Sequence, residues 1–278
     1  MLRPLAYIAS LIKAYFLRRG PLLARGIAFS FLVGAVPLLV LVLYGTSTLY
    51  DIAPQLRETV VLRLDELMPA QVAQVIQNQA AQIASHSWTE IGLVTLIIII
   101  FIAQGVFASL ESGLSIIMRC PQERHIWLDN LLYMTLTILA IMMFFAASYI
   151  HVFLNLFYDF AGFPDSLRWI ARKTTSVIII WLALVTIYRA CYHGALNLWV
   201  LFGVSFLVAS LWQLLNWGAS SVIAASGQRE FIYGFLASMV MFMLWAYMFA
   251  VLLLFGGIII ARHSRYIAIR KGIMRGKV

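Results

Sequence analysis

One acidic residue, Glu111, stands inside a long apolar segment of this sequence and is the first candidate for chemistry. A charge in such a segment is costly to bury, and for that reason it is often functional. Polar and small side chains recur around it at helical spacing and predict one face of a helix: Gln104, Ala108, Glu111 and Ser115. Arg25 opens an earlier apolar segment, and we expect it to approach Glu111. The pair is interpreted either as a gate or substrate-headgroup site, or as a structural ion pair.

A second set of polar residues with helical spacing comprises His151, Asn155 and Asp159. A histidine and a carboxylate two turns apart suit a proton or cation relay. The alternative is a histidine that is hydrogen-bonded between helices for structural reasons. A metal site would require more ligands than this line supplies, and the 5 histidines of the chain are scattered. The sequence therefore predicts neither a metal nor a cofactor.

Small residues mark places where helices are expected to approach closely. The first group consists of Gly26, Ser30 and Gly34. Pro37 follows them and predicts a kink in the same helix. Near the other end of the chain, the adjacent residues Gly256 and Gly257 predict a close helix crossing.

The elements that carry these residues are long apolar helices. Residues 231–261 contain no charged side chain, and a helix of that length measures about 46 Å against a hydrocarbon layer of about 30 Å. Hydrophobic residues make up 63% of the chain and charged residues only 11%, whereas soluble domains carry about 25% charged residues. This composition leaves too little polar surface for a soluble globule, so the sequence predicts an integral membrane protein.

The predicted fold class is all-α, a polytopic bundle of six transmembrane helices that forms one domain over residues 1–278. The spans are expected at residues 26–50, 90–118, 127–158, 173–190, 197–220 and 231–261. Residues 1–25 are predicted to form an amphipathic interfacial helix. Residues 51–89 are expected to form a short extracytoplasmic helical cap, and residues 262–278 a basic cytoplasmic tail.

The distribution of the 20 Lys and Arg residues predicts the orientation. Most of them fall on the side of the two termini, and the positive-inside rule then places both termini in the cytoplasm. The net charge of +9 is spread along the membrane borders, which indicates contact with anionic lipid and excludes a nucleic-acid footprint. Cys120 and Cys191 fall on the cytoplasmic side, where free thiols are expected.

Three stretches of the chain resemble the YihY/BrkB family of bacterial inner-membrane proteins. They are RGIAFSFLVGAVPLLVLVLYG, VFASLESGLSIIM and YGFLASMVMFMLWAYMFAVLLLFGG. The sequence departs from the family pattern in two places. Gly257 is followed by Ile258, where the family usually has an acidic residue shortly after the glycine. After the fourth span, the segment YRACYHG lacks the proline that is common in the family. The resemblance implies a six-helix fold in the bacterial cytoplasmic (inner) membrane, no established activity, and roles in transport or at the cell envelope. It also implies that the family's former label, ribonuclease BN, was a mistake.

Two functions are expected from these features. The first is a transporter or flippase-like protein for an anionic or amphipathic, envelope-related solute, which would not use ATP itself because the chain has no phosphate-binding loop. The second is a membrane scaffold or envelope-assembly protein without transport activity. An enzyme is not expected, since no acid/base constellation or cluster of metal ligands is visible. The expected partners are membrane lipids and a small-molecule or lipid substrate but no nucleic acid, and an oligomer is compatible with the pattern.

Overall fold

The computed structural model describes residues 2–34, 93–119, 126–160, 165–192, 197–225 and 234–270. Helices account for nearly all of these residues. In chain order they are α1 (Leu2–Leu17), α2 (Gly20–Gly34), α3 (Leu93–Met118), α4 (Ile126–Phe160), α5 (Asp165–Cys191), α6 (Leu198–Ala225) and α7 (Gly234–Arg270). The part of the chain that is described is therefore all-helical, as the sequence predicts.

A two-residue turn separates α1 from α2. Arg19 adopts a φ of 57°, and its carbonyl accepts the N–H groups of Leu22 and Leu23, which begins the second helix. A side chain at Gly20 would overlap the ring of Tyr15, so the turn requires glycine there. The sequence led us to expect one helix over residues 1–25 and a span from residue 26. The structure instead ends the first helix at Leu17 and begins the second at Gly20, because the left-handed Arg19 and the glycine form a turn between them.

Two other helices are longer than the predicted spans. α5 begins at Asp165 rather than at residue 173, and α7 continues to Arg270 into the predicted basic tail. Apolar runs in a sequence report the thickness of the hydrocarbon layer. A helix ends only where its backbone hydrogen bonds end, so it can extend beyond that layer. The cap predicted at residues 51–89 lies outside the described residues.

α3 and α7 form the centre of the bundle. α7 packs against α1, α3 and α6, and α3 packs against α4, α5 and α7. Gly256 of α7 faces the Tyr188 side chain of α5, whereas an ideal Cβ on Gly257 would lie 3.0 Å from Leu114 of α3. Adjacent residues point about 100° apart around a helix, so the two glycines admit neighbours on two different sides of α7.

Two tryptophans lie near the ends of the apolar part of α6. Trp199 is 86% exposed and Trp217 is 64% exposed, and the helix rises about 27 Å between them. This rise is close to the hydrocarbon thickness of about 30 Å, and tryptophans are enriched at both membrane interfaces. At its first turn, α6 is capped by Asn197, whose Oδ1 accepts the Trp199 N–H at 3.0 Å.

Four helices of the described chain are long and apolar enough to cross a membrane. The apolar windows are Phe101–Met118, Lys173–Cys191, Leu198–Gly218 and Val240–Ser264. Gly20–Gly34 in α2 and Trp127–Met143 in α4 are shorter apolar stretches. By length and composition each of these four helices could cross the bilayer, and the count of six spans stays a prediction.

Candidate functional site

The polar stripe of α3 is buried at two of its four positions. Glu111 is 4% exposed and Gln104 is 5% exposed, whereas Ala108 and Ser115 are half-buried. The Ser115 hydroxyl donates to the Ser112 carbonyl of its own helix at 2.9 Å. Glu111 and Gln104 are therefore the polar groups that α3 places in the protein interior.

Tyr133 of α4 is the partner of Glu111. Its hydroxyl donates to Glu111 Oε2 at 2.5 Å, across the α3–α4 interface. On α4, Tyr133 is preceded one turn earlier by the half-buried Asp129 and followed one turn later by the buried Thr137. The Thr137 hydroxyl donates to the Tyr133 carbonyl at 2.8 Å, which satisfies that hydroxyl within its own helix. Helical spacing thus presents Asp129 and Tyr133 on the same side of α4.

Three oxygens in this region have no hydrogen-bond partner among the described residues. They are Glu111 Oε1, Gln104 Oε1 and Asp129 Oδ1. A buried polar atom without a partner costs about 1–3 kcal/mol, and more when it carries charge. We call the group formed by Glu111, Asp129 and Tyr133 the carboxylate cluster. It is polar, acidic and incompletely satisfied. Gln104 lies on the same face of α3, about 10 Å from Glu111 along the helix.

Arg25 does not form the ion pair with Glu111 that the sequence led us to expect. It is exposed, while its neighbours Ala24 and Ile27 are buried. Ile27 occupies the space beside Gly113, so α2 presents an apolar face to α3 and turns Arg25 outward. No Lys, Arg or His in the described ranges forms an ion pair with Glu111 or Asp129. Whether Arg25 has a functional role stays a prediction.

The other predicted residues fall into two groups. The side chains of His151, Asn155 and Asp159 lie outside the described residues, although α4 includes their backbone, and Pro37 lies outside as well. Their predicted relay and kink stay predictions. Among the small residues of α2, a Cβ on Gly34 would overlap Val106 of α3, and Ser30 is half-buried. Gly26 is exposed, and a Cβ on it would meet nothing within 4 Å, so α2 approaches α3 at Gly34.

Sequence reasoning missed Tyr133 and Asp129. A signal for them was present, because Asp129, Tyr133 and Thr137 recur at intervals of four residues in an apolar helix. Cys191, a buried cysteine at the end of α5, also lies close enough to act electrostatically on the Tyr133 hydroxyl. Three helices thus meet around the carboxylate cluster.

A fully buried tyrosine, Tyr188, forms a different kind of contact. The Tyr188 hydroxyl of α5 donates to the Leu253 carbonyl of α7 at 2.8 Å, in the space left by Gly256. We call this contact the tyrosine–glycine lock. α6 and α7 are joined further along by the Trp245 indole, whose N–H donates to Asn216 Oδ1 at 2.8 Å. These contacts hold α5, α6 and α7 together with directed hydrogen bonds.

The helix α1 covers the end of α7. Tyr15 stacks on Phe255 with ring centroids 4.6 Å apart, and Arg262 donates to the Ser10 hydroxyl at 2.6 Å. Burial raises the pKa of the Tyr15 hydroxyl, and the neighbouring Tyr247 raises it further. In the turn that follows α1, Arg18 donates to the Ile117 carbonyl at the end of α3 at 2.6 Å, where a cation also complements the helix dipole.

Comparison with known proteins identifies the family. The sequence profile of the family described as "Virulence factor BrkB" matches residues 11–274. The chain belongs to this family. One relative is named "UPF0761 membrane protein" and comes from Actinobacillus pleuropneumoniae serotype 5b (strain L20). It is 21% identical to this chain over 268 residues, and the alignment covers 96% of each of the two chains. No solved structure matches the chain at a significant level.

Family membership confirms that the chain is a membrane protein of the kind that its sequence resembles. The match covers the last part of α1 and all of α2 to α7, so the carboxylate cluster lies within the region that the family shares. The family description and the relative's name mention no catalytic activity. The inner membrane as its location and the cytoplasmic position of both termini stay predictions.

Proposed function

We propose that this protein is a membrane transporter or flippase-like protein for an amphipathic, envelope-related solute, without ATP hydrolysis of its own. The observation that carries the proposal is the carboxylate cluster on α3 and α4. Glu111 and Gln104 each bury a side-chain oxygen that has no partner within the described ranges. Unpaired polar groups at membrane depth usually face a substrate or ion pathway.

A scaffold would gain nothing from this arrangement. Contacts between helices are stabilised by small residues and satisfied hydrogen bonds, as in the tyrosine–glycine lock. An acidic group with a free oxygen instead destabilises the resting fold. Such a cost is expected where the group binds something during a working cycle.

The chemistry of the cluster also narrows the solute. Glu111, Asp129 and the Gln104 carbonyl offer oxygens with negative or partial negative charge, and the described residues supply no cation beside them. An anionic headgroup would be repelled at this point. The cluster therefore suits a cationic, protonated or neutral polar part of an amphipathic solute. Any anionic part would have to be accommodated elsewhere.

The test is flux through purified protein in liposomes. Fluorescently labelled phospholipids of several headgroup classes would be followed by chemical quenching of the outer leaflet, and a panel of amphipathic solutes by uptake. We expect flux above that of empty vesicles for wild type and for Ser112→Ala, a change on the exposed side of α3 next to Glu111. Glu111→Gln should reduce flux to the level of empty vesicles.

Two outcomes would contradict the proposal. The first is wild-type flux no higher than that of empty vesicles over the whole panel. The second is a cellular phenotype that is lost when residues 51–89 are deleted but is unchanged in Glu111→Gln. That second pattern would favour a scaffold or envelope-assembly role.

A further inference from the structure

The burial and hydrogen bonding of Glu111 are those expected of a carboxyl group that binds a proton. It is 4% exposed, its Oε2 accepts the Tyr133 hydroxyl, and its Oε1 is buried without a partner. Glu111 forms no ion pair with a cation in the described ranges, and a buried carboxylate without one is costly as an anion, a cost that proton uptake removes. Gln104 Oε1 adds a second unpartnered oxygen from the same face of α3.

The groups around Glu111 and Tyr133 come from more than one helix. α4 contributes Tyr133 itself and Asp129, and both Asp129 and Cys191 of α5 lie close enough to act electrostatically on the Tyr133 hydroxyl. Gly113 lies two residues along α3, on the opposite side of that helix, and its neighbours are the apolar side chains of Ile27 and Leu254. Arg18 lies at the end of α3, where it donates to the Ile117 carbonyl. Among the described residues, the titratable groups at this site are thus a phenol, a carboxyl and a thiol.

A metal ion fits this environment less well than a proton. No group of three or more His, Cys, Asp or Glu side chains in the described part of the chain could hold a metal. Sodium-like and calcium-like ions require several oxygens around one point. Gln104 and Glu111 are instead about 10 Å apart along α3. A single free carboxylate oxygen beside a hydroxyl donor is sufficient to hold a proton.

We propose that Glu111 reversibly binds one proton on Oε1 and that Tyr133 positions the carboxyl group. On uptake an O–H bond to Oε1 forms as one O–H bond of a hydronium ion breaks, and release reverses both changes. No other group changes its covalent state. This inference deepens the proposed function because it names the proton as the coupling ion. Proton binding by Glu111 does not require transport, but the coupling of that proton to transport rests on the proposed function.

The test is infrared spectroscopy of the protein in lipid nanodiscs over a pH series, in H₂O and in D₂O. We expect a carboxylic-acid C=O band that fades as the pH rises and shifts in D₂O. The band should be lost in Glu111→Gln and retained in Ser112→Ala. A band that is unchanged in a folded Glu111→Gln protein would overturn the inference, as would a spectral change that requires sodium rather than protons.

A further variant keeps the test valid if Glu111→Gln fails to fold. Tyr133→Phe removes the hydroxyl that donates to Glu111 Oε2, so the frequency of the carboxylic-acid band should change, whereas Ser112→Ala should leave it as in wild type. A band with the same frequency in Tyr133→Phe and in wild type would contradict the inference.

The result is independent of the flux measurement. A band assigned to Glu111 without any flux would support proton binding and reject the transporter. Flux that persists in Glu111→Gln, together with an unaltered band, would reject Glu111 as the proton-binding group and leave transport by another route.

Discussion

Two tyrosines, the buried Tyr188 and the half-buried Tyr133, each donate a hydrogen bond from the hydroxyl group across a pair of helices, yet their surroundings differ. Tyr188 reaches a backbone carbonyl of α7, and Gly256 provides the space for it. Tyr133 reaches a carboxylate of α3 whose second oxygen has no partner among the described residues. The tyrosine–glycine lock is complete in itself, whereas the carboxylate cluster is not.

This difference separates packing from function in a protein whose interior and surroundings are both apolar. In lipid, helices gain little from burying apolar surface against each other, so close packing and satisfied hydrogen bonds must hold them together. The tyrosine–glycine lock provides both. The carboxylate cluster costs stability instead, and such a cost commonly accompanies activity.

The largest effect is expected at Gly256. In Gly256→Ala the added methyl group would overlap the Tyr188 hydroxyl and approach Val208, because the three helices already touch there. Overpacking of this kind costs about 1–3 kcal/mol. Thermal unfolding in detergent should show a clear loss of stability, with Gly203→Ala as the control because a Cβ there meets nothing within 4 Å. Equal melting temperatures for the two variants would show that the lock does not hold α5 against α7.

A smaller effect is expected from the two tyrosine-to-phenylalanine changes, and it should differ in kind. Tyr188→Phe removes one interhelical hydrogen bond, which in membranes contributes about 0.6 kcal/mol and at most about 1.7 kcal/mol. The loss should be independent of pH, because neither partner titrates in the working range. Tyr133→Phe should instead make the stability difference from wild type vary with pH, because the hydroxyl contacts the carboxyl group that we propose to bind a proton reversibly.

Unfolding measured at several pH values distinguishes these outcomes. A pH-dependent loss in Tyr188→Phe would remove the contrast between the two tyrosines, and so would a constant loss in Tyr133→Phe.

The smallest effect, and the one of opposite sign, is expected at Gln104. Gln104→Met replaces a buried amide that has an unpartnered oxygen by an apolar side chain of similar length. Removing the unsatisfied group should increase stability by about 1 kcal/mol. Flux in liposomes should fall in the same variant if the amide serves the solute. A destabilised Gln104→Met protein would mean that the amide supports the fold, and the contrast with the lock would then be weaker.

Particular residues show how far sequence reasoning reached. Glu111 and Gln104 were selected because polar groups at helical spacing in an apolar segment are costly, and both are buried. The partner of Glu111 was expected to be Arg25, on the basis of opposite charge alone. The structure provides Tyr133 instead, because α2 presents Ala24 and Ile27 to the bundle and leaves Arg25 exposed.

Composition and the length of the apolar segments are sufficient to identify this chain as a helical membrane protein, since lipid leaves no other way to satisfy the backbone of such segments. The same pattern shows which polar groups are costly to bury. The pairing of groups, such as Glu111 with Tyr133 and Tyr188 with Leu253 beside Gly256, depends on how the helices pack in three dimensions. The physical reason is that lipid and protein interior are almost equally apolar, so the hydrophobic pattern does not specify how each helix is rotated against its neighbours.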